Sequence, residues 1–545
     1  MNDVTSQLAD SDNQRGSVLD AIVVGAGFSG LYMLHRLREL GLSTRVYEAA
    51  DGVGGTWYWN RYPGARCDSE SHFYNYSFSD VIQKEWEWTC RYPEQPEILR
   101  YLNFVADKLD LRRDIKFNTR VTAAVLNEQT NRWDIETDAG ERVSVTFLIT
   151  AVGCLSAAQL PNIKGLETFQ GKWYHTGKWP HEGVDFTGKR VGIIGTGSTA
   201  IQAIPVIAAR ADHLTVFQRT ANFTVPAKDH PLTAEAQRNA KANYAQMRQK
   251  MRESVFGIPF DPSEQSALEA SAEERDRLFD SLWEYGGFKF LLSSYSDLIL
   301  NREANETAAE FVRAKIREIV KDPVTAEKLS PRTHPIGTKR PPIDTDYYET
   351  FNRDNVTLVD IRSAPIEEIT KKGIRTRDGE YELDCIVFAT GFDAMTGTLF
   401  NLGIKGRGGV TLKERWADGP HTYLGVATAG FPNLFIITGP GSPSVLSNMP
   451  VSIEQHVEWI ADCIQHLRRH NLHSIEAKEE AQQAWDAHVN EVANTTLFPQ
   501  ADSWYMGANI PGKPRVFMPY AGGVGAYRQL CADIAVKGYE GFATS

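Results

Sequence analysis

The chain has 545 residues, with 58 Lys and Arg against 69 Asp and Glu, for a formal net charge of −11. That length exceeds what one hydrophobic core usually serves, so two or three packed units are expected. The acidic balance leaves no electrostatic footprint for nucleic acid, no apolar run is long enough to span a bilayer, and no protein partner is predicted.

Residues 1–17, MNDVTSQLADSDNQRGS, lack the basic start, apolar middle and small-residue cleavage site of a secretory signal. They read as a disordered polar tail on a cytoplasmic chain. The six cysteines, Cys67, Cys90, Cys154, Cys385, Cys463 and Cys531, are scattered and form no CxxC pair. This pattern argues against a disulfide scaffold, a zinc site or a redox dithiol.

Leu19 to Val24 is apolar except for Asp20, and is followed by Gly25-Ala26-Gly27-Phe28-Ser29-Gly30 and then by apolar residues at helical spacing through Leu40. A second strand, Thr44 to Tyr47, ends on Glu48. This is a βαβ unit with a dinucleotide fingerprint: Gly25 permits the tight turn, Gly27 the approach to a pyrophosphate, and Gly30 close helix packing. Glu48, about twenty residues on, suits a ribose 2′-hydroxyl. A helix is predicted from Pro96 to Leu109, and a meander of short strands between Ile115 and Gly153.

At Lys189 the opening pattern returns as KRVGIIGTGSTA, with Gly195, Gly197 and Ala200 in the three fingerprint positions, and its second strand ends on Gln218-Arg219. A 2′-phosphate repels a carboxylate and pairs with a guanidinium, so the first turn suits FAD and the second NADPH. The plain alternative for Arg219 is a solvated charge at a strand end. Ala234 to about Lys328 is rich in helix formers, the sheet resumes at Val356–Val359 and Cys385–Ala389, and Leu434–Thr438 leads to a long amphipathic helix, Val451–Leu467. The expected fold is α/β, with two Rossmann-like dinucleotide-binding domains and a helical insertion. FAD is assigned to 18–153 and 391–545, NADP to 154–232 and 335–390, and the insertion to 233–334.

Two nucleotide sites in one chain imply hydride transfer from a nicotinamide to a flavin. With no cysteine pair beside the first turn to receive the electrons, O2 is the leading acceptor. His466 and His470 stand one helical turn apart but lack a third ligand, and no metal is expected.

Phe169-Gln170-Gly171-Lys172-Trp173-Tyr174-His175-Thr176-Gly177-Lys178-Trp179-Pro180 matches FxGxxxHxxxWP. By this fingerprint the chain resembles the type I Baeyer-Villiger monooxygenases, closest to the phenylacetone and steroid monooxygenase branch. Gly55-Thr56-Trp57, Tyr62-Pro63-Gly64 to Asp68, and the return at Thr390-Gly391 are similar to that family too. The resemblance implies oxidation of ketones to esters or lactones with NADPH and O2, through a C4a-peroxyflavin. It implies an active-site Arg340 partnered by Asp68, and cofactor contacts at Phe28, Ser29, Gly55, Thr56, Trp57, Asp68, Tyr74, Thr196, Ser198, Thr199, Thr220, Lys339, Arg340, Thr390 and Gly391. Trp504 would sit on a mobile loop closing over NADP and substrate. Cys154, Leu155, Ser444, Val445, Leu446 and Met449 would line the substrate pocket, and Phe169, Gly171, His175 and Trp179 would form a hinge. A plain reading makes His175 a satisfied linker residue and Trp504 a core aromatic. Two rival functions stand beside the main one: a flavin-dependent N- or S-monooxygenase, and a noncatalytic dinucleotide-binding redox module.

Overall fold

Ser17–Val24 is extended and its inner residues Ala21, Ile22 and Val23 are fully buried, as befits a central strand covered on both faces. The computed structural model describes residues 17–545. Of the tail expected over 1–17, residues 1–16 lie outside that range, and Ser17 already opens the first strand.

Ser17–Val24 pairs in parallel with Thr44–Tyr47 on one side and with Arg142–Thr150 on the other. The helix Phe28–Glu39 makes the crossover between Ser17–Val24 and Thr44–Tyr47, beginning directly after Gly27. Val121–Asn127, Arg132–Thr137 and Arg142–Thr150 form the antiparallel meander. Two short strands from late in the chain complete this eight-stranded sheet: Ile404–Lys405 pairs with Ala124 and Val125, and Leu434–Ile436 with Leu148 to Thr150. The helix Met449–Arg469 then packs Val457, Ile460 and Ile464 into the same core as Met33, Leu34 and Leu37. Each such side chain contributes about 1.5–3 kcal/mol on burial, which fixes the late helix to the first crossover.

The second sheet is parallel throughout, in the order Val356–Asp360, His213–Gln218, Arg190–Ile194, Cys385–Phe388 and Lys172–His175. The fingerprint segment therefore supplies an edge strand of this sheet.

Between the second sheet's early and late strands lie seven helices, among them Tyr244–Glu253, Ala272–Tyr285, Lys289–Leu292 and Arg302–Ile319. Local sequence starts them cleanly: Ser271 and Glu274 form a capping box, and the Asn301 side chain accepts from the Glu303 and Ala304 amides. Ala304, Ala308 and Val312 share a core with Phe279 and Phe290 and with Val191 and Ile193 of the second sheet. Met251 meets Val451 and Val524, so the insertion also touches the late helices. Among the described residues no helix is long and apolar enough to cross a membrane, and all six cysteines are free thiols.

Candidate active site

Both glycine turns sit at the carboxyl ends of their sheets, where parallel α/β folds bind ligands. At the first, a Cβ on Gly27 would lie 3.3 Å from the Gly55 Cα, so two backbones meet with no room for side chains. At the second, a Cβ on Gly197 would meet nothing within 4 Å; the bare backbone faces open space. A cavity of about 400 Å³ runs between the turns. Gly27, Phe28, Ser29, Gly55, Thr56 and Trp57 line one end, and Gly197, Ser198, Thr199 and Gly391 the other. Asp68, Tyr74 and Arg340 lie along it. Backbone amides at helix starts, open approach and a shared cavity fit two dinucleotides.

The two strand ends differ in charge. Glu48 is 5% exposed; its Oε2 accepts from the Ala26 amide at 2.7 Å and its Oε1 from the Ala50 amide at 2.8 Å. Burial raises its pKa, against the pull of those amides. At the other end Arg219 is exposed, and the Lys339 pKa is lowered, first by burial and then by the charges of Arg219 and Arg362. Arg362 is absent from the sequence candidates. Its signal is the sheet register: Asp360 pairs with Gln218, so parallel pairing brings the residues just beyond, Arg362 and Arg219, to neighbouring strand ends.

Arg340 is held in its own plane. Its Nε donates to Asp68 Oδ2 at 2.6 Å, its Nη2 to Asp68 Oδ1 at 2.9 Å, and its Nη1 to the Val445 carbonyl at 2.9 Å. Burial alone would lower the guanidinium pKa, but the Asp68 carboxylate more than offsets it and the net shift is upward. Arg340 also faces a second cavity of about 530 Å³, built mainly from the insertion and the 443–448 and 520–523 segments. Tyr505 lines that second cavity, its phenol pushed up to about 12 by burial despite the opposing charge of Arg340.

The remaining candidates divide by location. Cys154, Leu155, Val445, Met449 and Trp504 line the cavity between the turns, whereas Leu446 lines the second one. Ser444 is fully buried at φ 31°, a strained conformation, with its hydroxyl toward the Met395 sulfur at 3.9 Å. It immediately precedes Val445, whose carbonyl accepts from Arg340. Thr196 donates to the Thr220 carbonyl at 2.8 Å, and Thr390 to the Gln159 carbonyl at 2.7 Å, both bracing loops.

The fingerprint residues lie outside both cavities. His175 is buried, its Nδ1 accepts from the Gly177 amide at 3.0 Å, and burial lowers its pKa, leaving a neutral ring. The Phe169 ring and the Asp384 carbonyl occupy the space a Cβ on Gly171 would need. Trp179 packs on Tyr174 and Phe186.

Residues 20–227 match the family described as FMO-like, flavin-binding monooxygenase-like. The chain is 48% identical to a Baeyer-Villiger monooxygenase from Pseudooceanicola batsensis, over 96% of each chain. It is 46% identical to a phenazine N-monooxygenase from Lysobacter antibioticus, again over 96% of each. A solved structure of oxidised steroid monooxygenase bound to NADP superposes with a TM-score of 0.93 at 52% identity, covering 97% of this chain and 99% of the other. With such identity sustained along its length, the chain belongs to the Baeyer-Villiger monooxygenase family of flavin-binding monooxygenases.

Proposed function

We propose that this enzyme converts ketones to esters or lactones: ketone, NADPH, O2 and a proton give ester, NADP⁺ and water. The observation that carries this reading is Arg340, held by Asp68 and Val445 and facing both cavities. A guanidinium has five N–H donors, of which three are engaged here, so two remain for an oxygen that becomes negative. Those donors stay charged at every working pH and are aimed before reaction, which is the arrangement that stabilises an oxyanion formed at an attacked carbonyl. Asp68 fixes the plane of the guanidinium and tempers its field. No protein nucleophile is needed; burial pushes the Cys154 thiol up to about 11, away from a thiolate.

When bound, FAD supplies oxygen activation and NADPH the hydride. In this proposal residues 18–153 and 391–545 hold FAD, with Glu48 toward its ribose, and 154–232 and 335–390 hold NADPH, with Arg219, Lys339 and Arg362 toward its 2′-phosphate. Residues 233–334 are the helical insertion. Trp504 closes over the occupied cavity as part of a lid, and His175 is a neutral packing residue at the hinge. A cytoplasmic location belongs to the same proposal, in keeping with six free thiols.

N-oxygenation is a second reading, favoured by the 46% identity to a phenazine N-monooxygenase. The experiment separating the two is anaerobic reduction of the yellow holoenzyme by NADPH, followed by aerobic turnover with a panel of ketones and aromatic amines. The expected product is an ester or lactone one oxygen heavier than its ketone. N-oxides with no ester from any ketone would establish the second reading, and hydrogen peroxide alone would overturn both.

A further inference from the structure

The second cavity, on the insertion side of Arg340, has a mainly apolar wall that includes Phe256, Leu291, Leu292, Leu446 and Phe498. Arg340 is its one charged wall residue among the described residues. Val255 and Leu300, also in its wall, are 51% and 54% exposed, so hydrocarbon is presented to solvent there. Such a wall favours an uncharged molecule with an apolar body, because a charged one would lose its hydration with no partner but Arg340.

Phe288 stands where this cavity meets the arginine. The Arg340 guanidinium carbon lies 5.0 Å from the Phe288 ring centroid, within cation–π range. The hydrogen bonds to Asp68 and Val445 hold the guanidinium by its edges, in its own plane; they resist rocking out of that plane only weakly. The Phe288 ring, against which the guanidinium packs, supplies a further constraint.

Phe288 is itself held to a fixed reference. It follows Gly286 and Gly287, at φ 80° and 69°. A Cβ would fall 2.7 Å from the Pro226 carbonyl oxygen at Gly286 and 1.9 Å from the Tyr92 hydroxyl at Gly287, so this corner admits only glycine. The Gly287 amide donates to the Pro226 carbonyl at 2.8 Å. Arg91 donates to the Tyr285 carbonyl at 2.6 Å and to Glu70 at 2.7 Å. Thus Asp68 holds the guanidinium, while Glu70, two residues on, holds through Arg91 the corner carrying the ring.

We propose that Phe288 is a positioning residue for Arg340, its ring packed against the guanidinium at the inner end of an apolar chamber that seats the hydrocarbon body of a ketone. The inference rests on the ketone-oxygenation reading and adds to it a substrate class and a residue from the insertion. Unclamped, the arginine reduces flavin turnover to a leak: NADPH and O2 are still consumed, but hydrogen peroxide leaves in place of ester.

The test compares Phe288→Leu, which keeps apolar bulk without a ring face, with Phe288→Tyr, which keeps the face. Each FAD-loaded variant is assayed with a bulky cyclic ketone for ester formed and peroxide released per NADPH, for the rate of anaerobic flavin reduction, and for melting temperature. With the clamp lost, Phe288→Leu forms ester about fivefold to thirtyfold more slowly, with peroxide making up the balance, while flavin reduction and melting temperature stay near wild type. Phe288→Tyr returns to within about twofold of wild type. Full coupling in Phe288→Leu, or a Tyr variant as leaky as Leu, would overturn the inference. A wild-type enzyme that makes no ester defeats the ketone reading instead. The clamp is then still decided by a crystal structure of Phe288→Leu: loss of the Arg340–Val445 contact supports it, and an unmoved guanidinium overturns it.

Discussion

Glu48 and Arg219 occupy the same place in two copies of one motif, yet one is sealed and the other open. Glu48 is buried and engages two backbone amides of its own fold, whereas Arg219 is exposed and shares its strand ends with Lys339 and Arg362. The close approach of Gly27 to Gly55 tightens the first turn, while the space beside Gly197 leaves the second accessible. In the proposed assignment, the comparison teaches that one motif can be built closed for a retained FAD and open for an exchanging NADPH. The glycines are common to both; the residues around the strand end set the difference.

The largest effect should come from the point that both turns serve. Arg340→Ala should retain yellow FAD while ester formation falls about 100- to 1000-fold, the cost of losing one preorganised oxyanion donor. Ester made at the parent rate would show that the turns converge elsewhere. Next, Glu48→Ala strands the Ala26 and Ala50 amides and removes an ionic acceptor. FAD dissociation should rise about 10- to 100-fold, read by fluorescence of released flavin, with the NADPH KM of the remaining holoenzyme unchanged. A parallel rise in NADPH KM would erase the distinction between the turns.

Arg219→Ala and Lys339→Ala should each raise the NADPH KM about 10-fold or more with little change for NADH, since each removes a charge-assisted contact to phosphate. Arg362→Ala, at an exposed position, should cost only about two- to fivefold. The smallest effect is in pH. The Lys339 pKa is lowered, so preference for NADPH over NADH should decline at a lower alkaline pH than an ordinary lysine would give, and Lys339→Arg should abolish that decline. The Glu48 pKa is raised, so FAD should loosen on acidification sooner than an ordinary carboxylate would allow. Measuring cofactor discrimination and flavin retention across pH in one preparation sets the two strand ends against each other.

The parts legible in the sequence are those written in contiguous residues. Strand, glycine turn, helix and strand-end charge lie within some thirty residues of each other, so Gly25 to Glu48 and Gly195 to Arg219 announce themselves. Arg340 and Asp68 were reachable only through family resemblance, because nothing local marks an arginine whose partner lies in another domain. Arg362 needed the pairing of Asp360 with Gln218, and Phe288 needed the fold of the insertion back over Arg340. Hydrophobic periodicity reports which face of a helix is buried and is silent about which distant side chain that face meets.

The late strands of the first sheet carry a consequence for how the enzyme is made. Ala124 waits for Ile404, and Leu148 for Leu434, before their backbone groups have those partners. During synthesis the first nucleotide unit therefore emerges with unfinished sheet edges, and the second unit and the insertion are complete before its last strand arrives. In the proposed assignment of FAD to this unit, the flavin's binding unit is thus among the first segments translated and the last to close. On that assignment the yellow colour of a preparation would be a proofreading mark, reporting that the end of the chain has been delivered and folded back onto its beginning.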